Sequence, residues 1–203
     1  MEMNYTSKKI IFNKELRAID EFVFSFISYL DKAKIKYVII SGYVGLFFGR
    51  NRNTEDIDLF VEDLNFERFA EFWNLISSEF DCLNATEPKY AYDSLANEVA
   101  LRFHKKDSFI PNIEFKPLKT DIDRYSLEKR VEIVCNSKRL YFSPLELQIA
   151  FKLELGSEKD EEDARFLYKV FKEHLNKPLL SEMLEKLNVS NKKFEMIIGE
   201  KLE

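Results

Sequence analysis

The chain has 203 residues, 45% of them hydrophobic and 33% charged, so it can bury a core and is not a disordered tail. Thirty-six acids against 31 bases leave a net charge of −5, which excludes a globally basic nucleic-acid coat but allows a local basic patch. Two cysteines, Cys82 and Cys135, stand too far apart in sequence to form a disulfide framework or a zinc set, which predicts a reducing, cytoplasmic setting.

Residues 1–9 are polar and carry no signal-peptide core. The apolar run 22–30 falls far short of the roughly 20 residues of a membrane span. A soluble, unprocessed protein with no membrane partner is expected. Leu16, Ile19, Val23, Phe26, Ile27 and Leu30 recur at helical spacing and predict an amphipathic helix over 15–33. Residues 37–40 read as a buried strand ending at Ser41-Gly42, followed by a short helix over 43–48. Three of the five glycines (Gly42, Gly45, Gly49) fall here, where their conformational freedom or lack of a side chain must serve a purpose. A tight turn at Gly42, close packing at Gly45 and a helix C-cap at Gly49 are the plain expectations.

Residues 57–61 read as the next strand, and 66–76 as a helix capped by Asp63 or Asn65. Strands are expected over 97–104 and 110–118, and a hairpin over 131–142 turning at Asn136-Ser137. Ser143-Pro144-Leu145-Glu146 has the pattern of a capping box and opens a helix that Gly156 stops. A second box at residues 157–160 opens a helix reaching about residue 174, and one or two short helices follow Pro178. The front is therefore mixed α/β and the back helical. This predicts a core over 1–119 and a β-hairpin with a helical C-terminal lobe over 120–203, packed on the core.

The chemistry centres on Asp56-Ile57-Asp58. On a strand, residues i and i+2 share a face, so the two carboxylates stand side by side while Ile57 and Leu59 face the core. Such a pair suits Mg²⁺, an all-oxygen ion commonly held by carboxylates together with substrate phosphates. The plain alternative is a solvated strand start. The Ser41-Gly42 turn and helix start offer backbone N–H groups to phosphate oxygens, and Arg50, Arg52 and Thr54 lie between turn and carboxylates.

Residues 37–62 (YVIISGYVGLFFGRNRNTEDIDLFVE) resemble the opening motif of the DNA polymerase β-type nucleotidyltransferase superfamily. More narrowly, Arg52, Thr54, Asp56, Ile57 and Asp58 match the Arg-x-Thr-x-Asp-Ile-Asp signature of its minimal and AbiE-type members. The resemblance implies an α/β (α+β) nucleotidyltransferase fold, a mixed sheet flanked by helices with a helical C-terminal lobe. One departure is that Ser41 stands at the first glycine of the family turn, with the bulky Tyr43 after Gly42. The resemblance also requires a third carboxylate on a neighbouring strand. Glu114 supplies it, since Ile113 and Phe115 point one way and Glu114 the other; Asp121 and Asp123 are rivals just past the strand pattern.

Residues 140–146, 150–153 and 159–167 are similar to the AbiE-type C-terminal pattern. This implies Lys152 as a phosphate-contacting cation and Asp163, with Asp160 as its rival, as a further acid. The implied catalytic set is Asp56, Asp58, Glu114, Lys152 and Asp163. Ser41, Gly42, Arg52 and Thr54 would hold nucleotide, and Asp56, Asp58 and Glu114 would bind two Mg²⁺ (or Mn²⁺) ions. The implied reaction transfers NMP from an NTP to an acceptor hydroxyl and releases pyrophosphate. An RNA or tRNA acceptor and a restraining antitoxin follow from the AbiE likeness. A small-molecule acceptor, or a nucleotide-binding module without catalysis, are the alternatives. Arg124, Lys129, Arg130, Lys138 and Arg139 offer a basic patch for RNA or simply a solvated face. His104 and His174 lack metal or nucleophile spacing and are expected at the surface or in pairs.

Overall fold

The structure, a computed structural model, describes residues 3–6 and 8–202. Among the described residues one nine-stranded mixed sheet runs in the order β1-β2-β8-β9-β3-β4-β7-β6-β5. Its strands are β1 (Asn4–Thr6), β2 (Lys9–Phe12), β3 (Tyr37–Ile39), β4 (Asp56–Val61), β5 (Phe80–Cys82), β6 (Leu101–Lys105), β7 (Asn112–Lys116), β8 (Val131–Cys135) and β9 (Lys138–Phe142). The helices are α1 (Ala18–Lys32), α2 (Gly42–Phe47), α3 (Phe66–Ile76), α4 (Pro88–Ala96), α5 (Asp121–Glu128), α6 (Leu145–Leu155), α7 (Glu158–Phe171), α8 (Lys177–Lys186) and α9 (Asn191–Ile198). No helix of the described residues is long and apolar enough to cross a membrane.

The alternation along the central strands divides the sheet into a closed and an open face. Ile57, Leu59 and Val61 of β4, with Ile113 and Phe115 of β7, are buried. They lie under an aromatic layer from α1 and α3, in which Phe72 stacks on Phe115 at 5.5 Å and Phe26 meets Phe103 at 5.6 Å. Burying such rings contributes a large share of the hydrophobic stabilisation. Asp56, Asp58 and Phe60 alternate to the opposite face, and so do Asn112, Glu114 and Lys116. The parallel register of β4 on β7 sets Asp58 opposite Glu114. The expected helices and strands around the motif are therefore present, and Asn65, not Asp63, caps α3 by accepting from the Arg68 N–H.

Other expectations are corrected. The polar start holds the paired strands β1 and β2, and β5 is a further strand the sequence does not announce; unlike the three-residue β3, none of them is a continuous β-branched apolar run bounded by a turn. Residues 97–100 lie outside β6, and α4 occupies a stretch without a strong periodic signal. At α6 the capping box does not form. Pro144 is the N-cap, the Ser143 hydroxyl has no partner, and Glu146 accepts from the Asn176 N–H at 2.7 Å instead. Gly156 ends α6 in the left-handed region (φ 67°), as the sequence predicts. Ser157 caps α7 by accepting from the Asp160 N–H, without the reciprocal backbone bond of a full box, and the helix ends at Phe171.

Candidate active site

The turn between β3 and α2 is built under backbone strain. Ser41 has φ 64° and ψ −143°, close to a region that is essentially reserved for glycine and costs about 1–3 kcal/mol otherwise. Its N–H donates to Gln148 Oε1 at 3.1 Å, which ties the turn to α6 and occupies one donor expected to face phosphate. At Gly42 a side chain would displace the Arg52 guanidinium. A Cβ there would lie 2.8 Å from the Arg52 guanidinium. Gly49, at φ +106°, follows the last turn of α2, whereas an added Cβ at Gly45 would meet Asp163 at an ordinary 3.7 Å. Tyr43 does not crowd the turn. Its ring points into the core and its hydroxyl donates to Asp20 Oδ1 at 2.9 Å. Asp20 is fully buried and also bonds Lys14 Nζ at 2.9 Å and the Arg17 N–H at 3.0 Å. Burial alone would raise its pKa, but these donors more than offset that and hold it below the usual range.

On the open face, Asp58 and Glu114 stand across the β4–β7 seam with the Lys116 ammonium between them. Lys116 Nζ bonds Asp58 Oδ1 and lies 2.8 Å from Glu114 Oε2. Arg102 NH2 approaches the other Glu114 oxygen at 2.5 Å. Burial and the facing Glu114 raise the Asp58 pKa despite Lys116. Glu114 goes the other way, since Lys116, Asp58 and Arg102 outweigh its own burial. Lys116 is raised, its burial outweighed by the two carboxylates. Asp56, two residues along the strand, is exposed and accepts from Asn112 Nδ2 at 2.7 Å.

These three acids offer only carboxylate oxygens on one face, the donor chemistry that Mg²⁺ or Mn²⁺ takes. In that respect they fit the ions implied by the resemblance. Among the described residues no three His, Cys, Asp or Glu side chains converge on one point, and Lys116 holds the space between two of them. The spacing of Glu114-Phe115-Lys116 places that lysine on the acid face, a signal the sequence reading overlooked.

Arg52, Lys152 and Asp163 gather elsewhere, in a closed cluster behind the turn. Asp163 is 1% exposed and bonds both Arg50 and Arg52, with Lys152 Nζ at 3.1 Å. Lys152 also bonds Asp160 at 2.6 Å, and Arg50 reaches Glu162 at 2.5 Å. Three cations thus face three carboxylates. The structure therefore places Lys152 in the interior, at 3% exposure, and not on the surface. Hydrogen bonds from Lys152 and Ser157 hold the Asp160 pKa low against the effect of its burial. Thr54 turns its hydroxyl to the Asp56 carbonyl at 2.9 Å.

Asp121 and Asp123 lie in the first turn of α5, where Asp123 accepts from the Lys119 and Thr120 N–H groups as a cap. The basic residues do not form one track. Arg124 pairs with Asp63, Lys138 with Glu21 and Arg139 with Glu132, while Arg130 lies 3.9 Å over the Tyr141 ring. His104 is buried and bonded through Nδ1 to backbone carbonyl oxygens, and His174 stacks on Tyr5 at 4.8 Å.

An open cleft runs from Glu114 and Lys116 past Phe60 to Thr120 and Asp123. Beyond Phe60 a second cavity lies between α5 and α6, lined by Ser41, Gln148 and the buried Ser126 and Ser143, whose hydroxyls have no protein partner. Of the three acids only Glu114 lines the open cleft, while Ser41 of the turn lines the second cavity.

No family model matches the chain, and no curated protein matches it. Solved structures do. The chain is similar to the crystal structure of an antigenic nucleotidyltransferase-like protein from Paracoccidioides brasiliensis, with TM-score 0.56 and 16% identity over 92% of this chain and 95% of that one. It is also similar to the crystal structure of ANT(2'')-Ia in complex with adenylyl-2''-tobramycin (TM-score 0.53, 13% identity, 82% of this chain and 97% of that one). A solution structure of the antibiotic-resistance factor ANT(2'')-Ia gives TM-score 0.54 and 10% identity over 87% of this chain and 94% of that one. The mixed nine-stranded sheet with its flanking helices is a nucleotidyltransferase-type fold.

Proposed function

We propose that the protein is a divalent-metal-dependent nucleotidyltransferase acting at the open carboxylate face. The observation that carries this reading is the juxtaposition of Asp58 and Glu114 across the β4–β7 seam, with Asp56 on the same face. The open cleft at Glu114 and the cavity lined by Ser41 on the other side of Phe60 support it. Asp56, Asp58 and Glu114 would hold Mg²⁺, or Mn²⁺ in its place. When bound, such an ion supplies charge neutralisation for the triphosphate and acidity for the acceptor hydroxyl.

The chain's own residues position the reactants. The β4–β7 register fixes the carboxylates on a rigid sheet, and the missing side chain of Gly42 leaves room for the Arg52 guanidinium against the α2 turn. Arg52, ion-paired to Asp163, packs against Gly42 and braces the turn from behind. An acceptor oxygen bonds to the α-phosphorus as the bond to the pyrophosphate oxygen breaks, and the hydroxyl proton passes to a carboxylate of this face. Lys152 and Asp163 act on this site from behind, by holding Arg52 in place.

A small-molecule acceptor is favoured by the basic residues, four of which are occupied by acids or an aromatic ring instead of lining one track. The bound adenylyl-2''-tobramycin of the ANT(2'')-Ia structure, which shares the fold, supports the same reading. An RNA or tRNA acceptor and an antitoxin partner rest on the sequence resemblance alone. The test is incubation with each labelled NTP, Mg²⁺ and separate pools of RNA, protein and small hydroxylated compounds. Label should move to one pool with wild type and fall by orders of magnitude with Glu114→Gln, while NTP affinity stays within a few-fold. Absence of NTP binding, or equal transfer by Glu114→Gln, would contradict the assignment.

A further inference from the structure

Lys116 occupies a place the transfer reading leaves unexplained. It follows Glu114 by two residues on β7 and so shares its face. The β4–β7 register pairs Lys116 with Phe60 and Glu114 with Asp58, which makes Lys116 the diagonal neighbour of Asp58. Diagonal pairs on a sheet are within reach of a long side chain. The cleft in front of β7 is open, and the Lys116 side chain, 29% exposed, has room to extend into it. It bends inward instead. Its ammonium bonds Asp58 Oδ1 and lies 2.8 Å from Glu114 Oε2, while Arg102 takes the remaining Glu114 oxygen. Three of the four carboxylate oxygens of Asp58 and Glu114 are thus bonded to cations that belong to the chain.

We infer that Lys116 is a built-in counter-ion of the carboxylate face, which must swing out into the cleft before Asp58 and Glu114 can take a divalent ion. An ammonium bonded to Asp58 Oδ1 and Glu114 Oε2 sits between the two carboxylates where a divalent ion would bind, so the two cations compete for the same oxygens. Two consequences follow. The carboxylates are neutralised without metal, so the fold does not depend on the ion. Bare divalent ions bind weakly, and a triphosphate, which offers the displaced ammonium a new partner, promotes their binding. The inference rests on the transfer reading only for the identity of the competing ion.

The experiment is titration of the full chain with Mn²⁺ at fixed pH in the absence of nucleotide, with free Mn²⁺ read by electron paramagnetic resonance. Lys116→Met should bind Mn²⁺ about tenfold more tightly than wild type or more, as expected for loss of charge-assisted bonds that compete for the ligands. Lys116→Arg, which keeps the cation, should resemble wild type. Thermal melting gives a second readout. The Lys116→Met midpoint should drop in EDTA and rise on adding Mn²⁺, whereas the wild-type midpoint should move little; Lys116→Gln serves if the methionine variant fails to fold. Equal or weaker Mn²⁺ binding by the neutral variants would overturn the inference. Because no nucleotide or acceptor is present, a tenfold gain in a chain that transfers nothing would uphold the counter-ion and sink the transfer reading alone.

Discussion

Two clusters of acids and bases flank the Ser41-Gly42 turn, one closed and one open. In the closed one Asp163 is 1% exposed and Arg52 9%, and each of the three cations has a carboxylate partner. In the open one Lys116 is 29% exposed, Arg102 53%, and the three acids outnumber these two cations. Charges fully withdrawn from water must be matched, or the fold bears an uncompensated ion. Charges at a cleft can be left unbalanced, and that residual negative charge is what a metal–nucleotide complex can use. The sequence resemblance assigns active-site roles in both clusters, and the two differ in burial, the closed one withdrawn from water and the open one facing a cleft.

The comparison breaks most visibly at Asp163. Asp163→Ala leaves Arg50, Arg52 and Lys152 buried around a lost partner. It should destabilise the protein by about 3–5 kcal/mol in equilibrium urea unfolding. Asp58→Asn should cost less than about 1 kcal/mol, since the fold already disfavours the charged form of Asp58. Comparable losses for the two variants would erase the distinction between the clusters.

Acid titration sharpens it with a smaller effect. The pKa values of Asp160 and Asp20 are lowered, so each contributes stability that is present above the ordinary value near 4 and lost as pH falls through the lower folded value. Asp58 is raised, so its protonation just above that pH adds stability. Unfolding free energy measured from pH 6 downward should therefore fall less steeply in Asp160→Asn than in wild type, and more steeply in Asp58→Asn. The reverse ordering would mean that the two clusters do not differ in the way their surroundings imply.

Much of this was legible in the chain. The strand-turn-helix at 37–48 and the Asp-x-Asp strand show because hydrophobic period and turn residues agree there. Helix α5 escaped notice although Thr120 and Asp123 spell a capping box, because the two aspartates of its first turn were weighed as rival ligands. Burial of Lys152 could not be read at all. Its helix is apolar on nearly every side, and only the tertiary arrangement brings Asp163 and Asp160 to it. Tyr43 looked obstructive at the turn because the partner that draws it inward, Asp20, lies in another helix.

The smallest expected effect concerns the turn between the clusters. Ser41→Gly relieves a backbone conformation that suits glycine, and should raise stability by about 1 kcal/mol after the entropic cost of glycine is counted. Thermal melting checks it, and a loss of stability would mean that the Ser41 conformation carries no strain.

The central claim, that the open face and not the closed cluster receives metal and nucleotide, is tested most directly by anomalous diffraction. Crystals of the full chain grown with Mn²⁺ and a non-hydrolysable NTP analogue would be used. The account predicts a manganese peak in contact with Asp58 and Glu114, with Lys116 turned away from both. Nucleotide bound with Lys116 still bridging the two carboxylates, or manganese seated instead at Asp160 and Asp163, would contradict it.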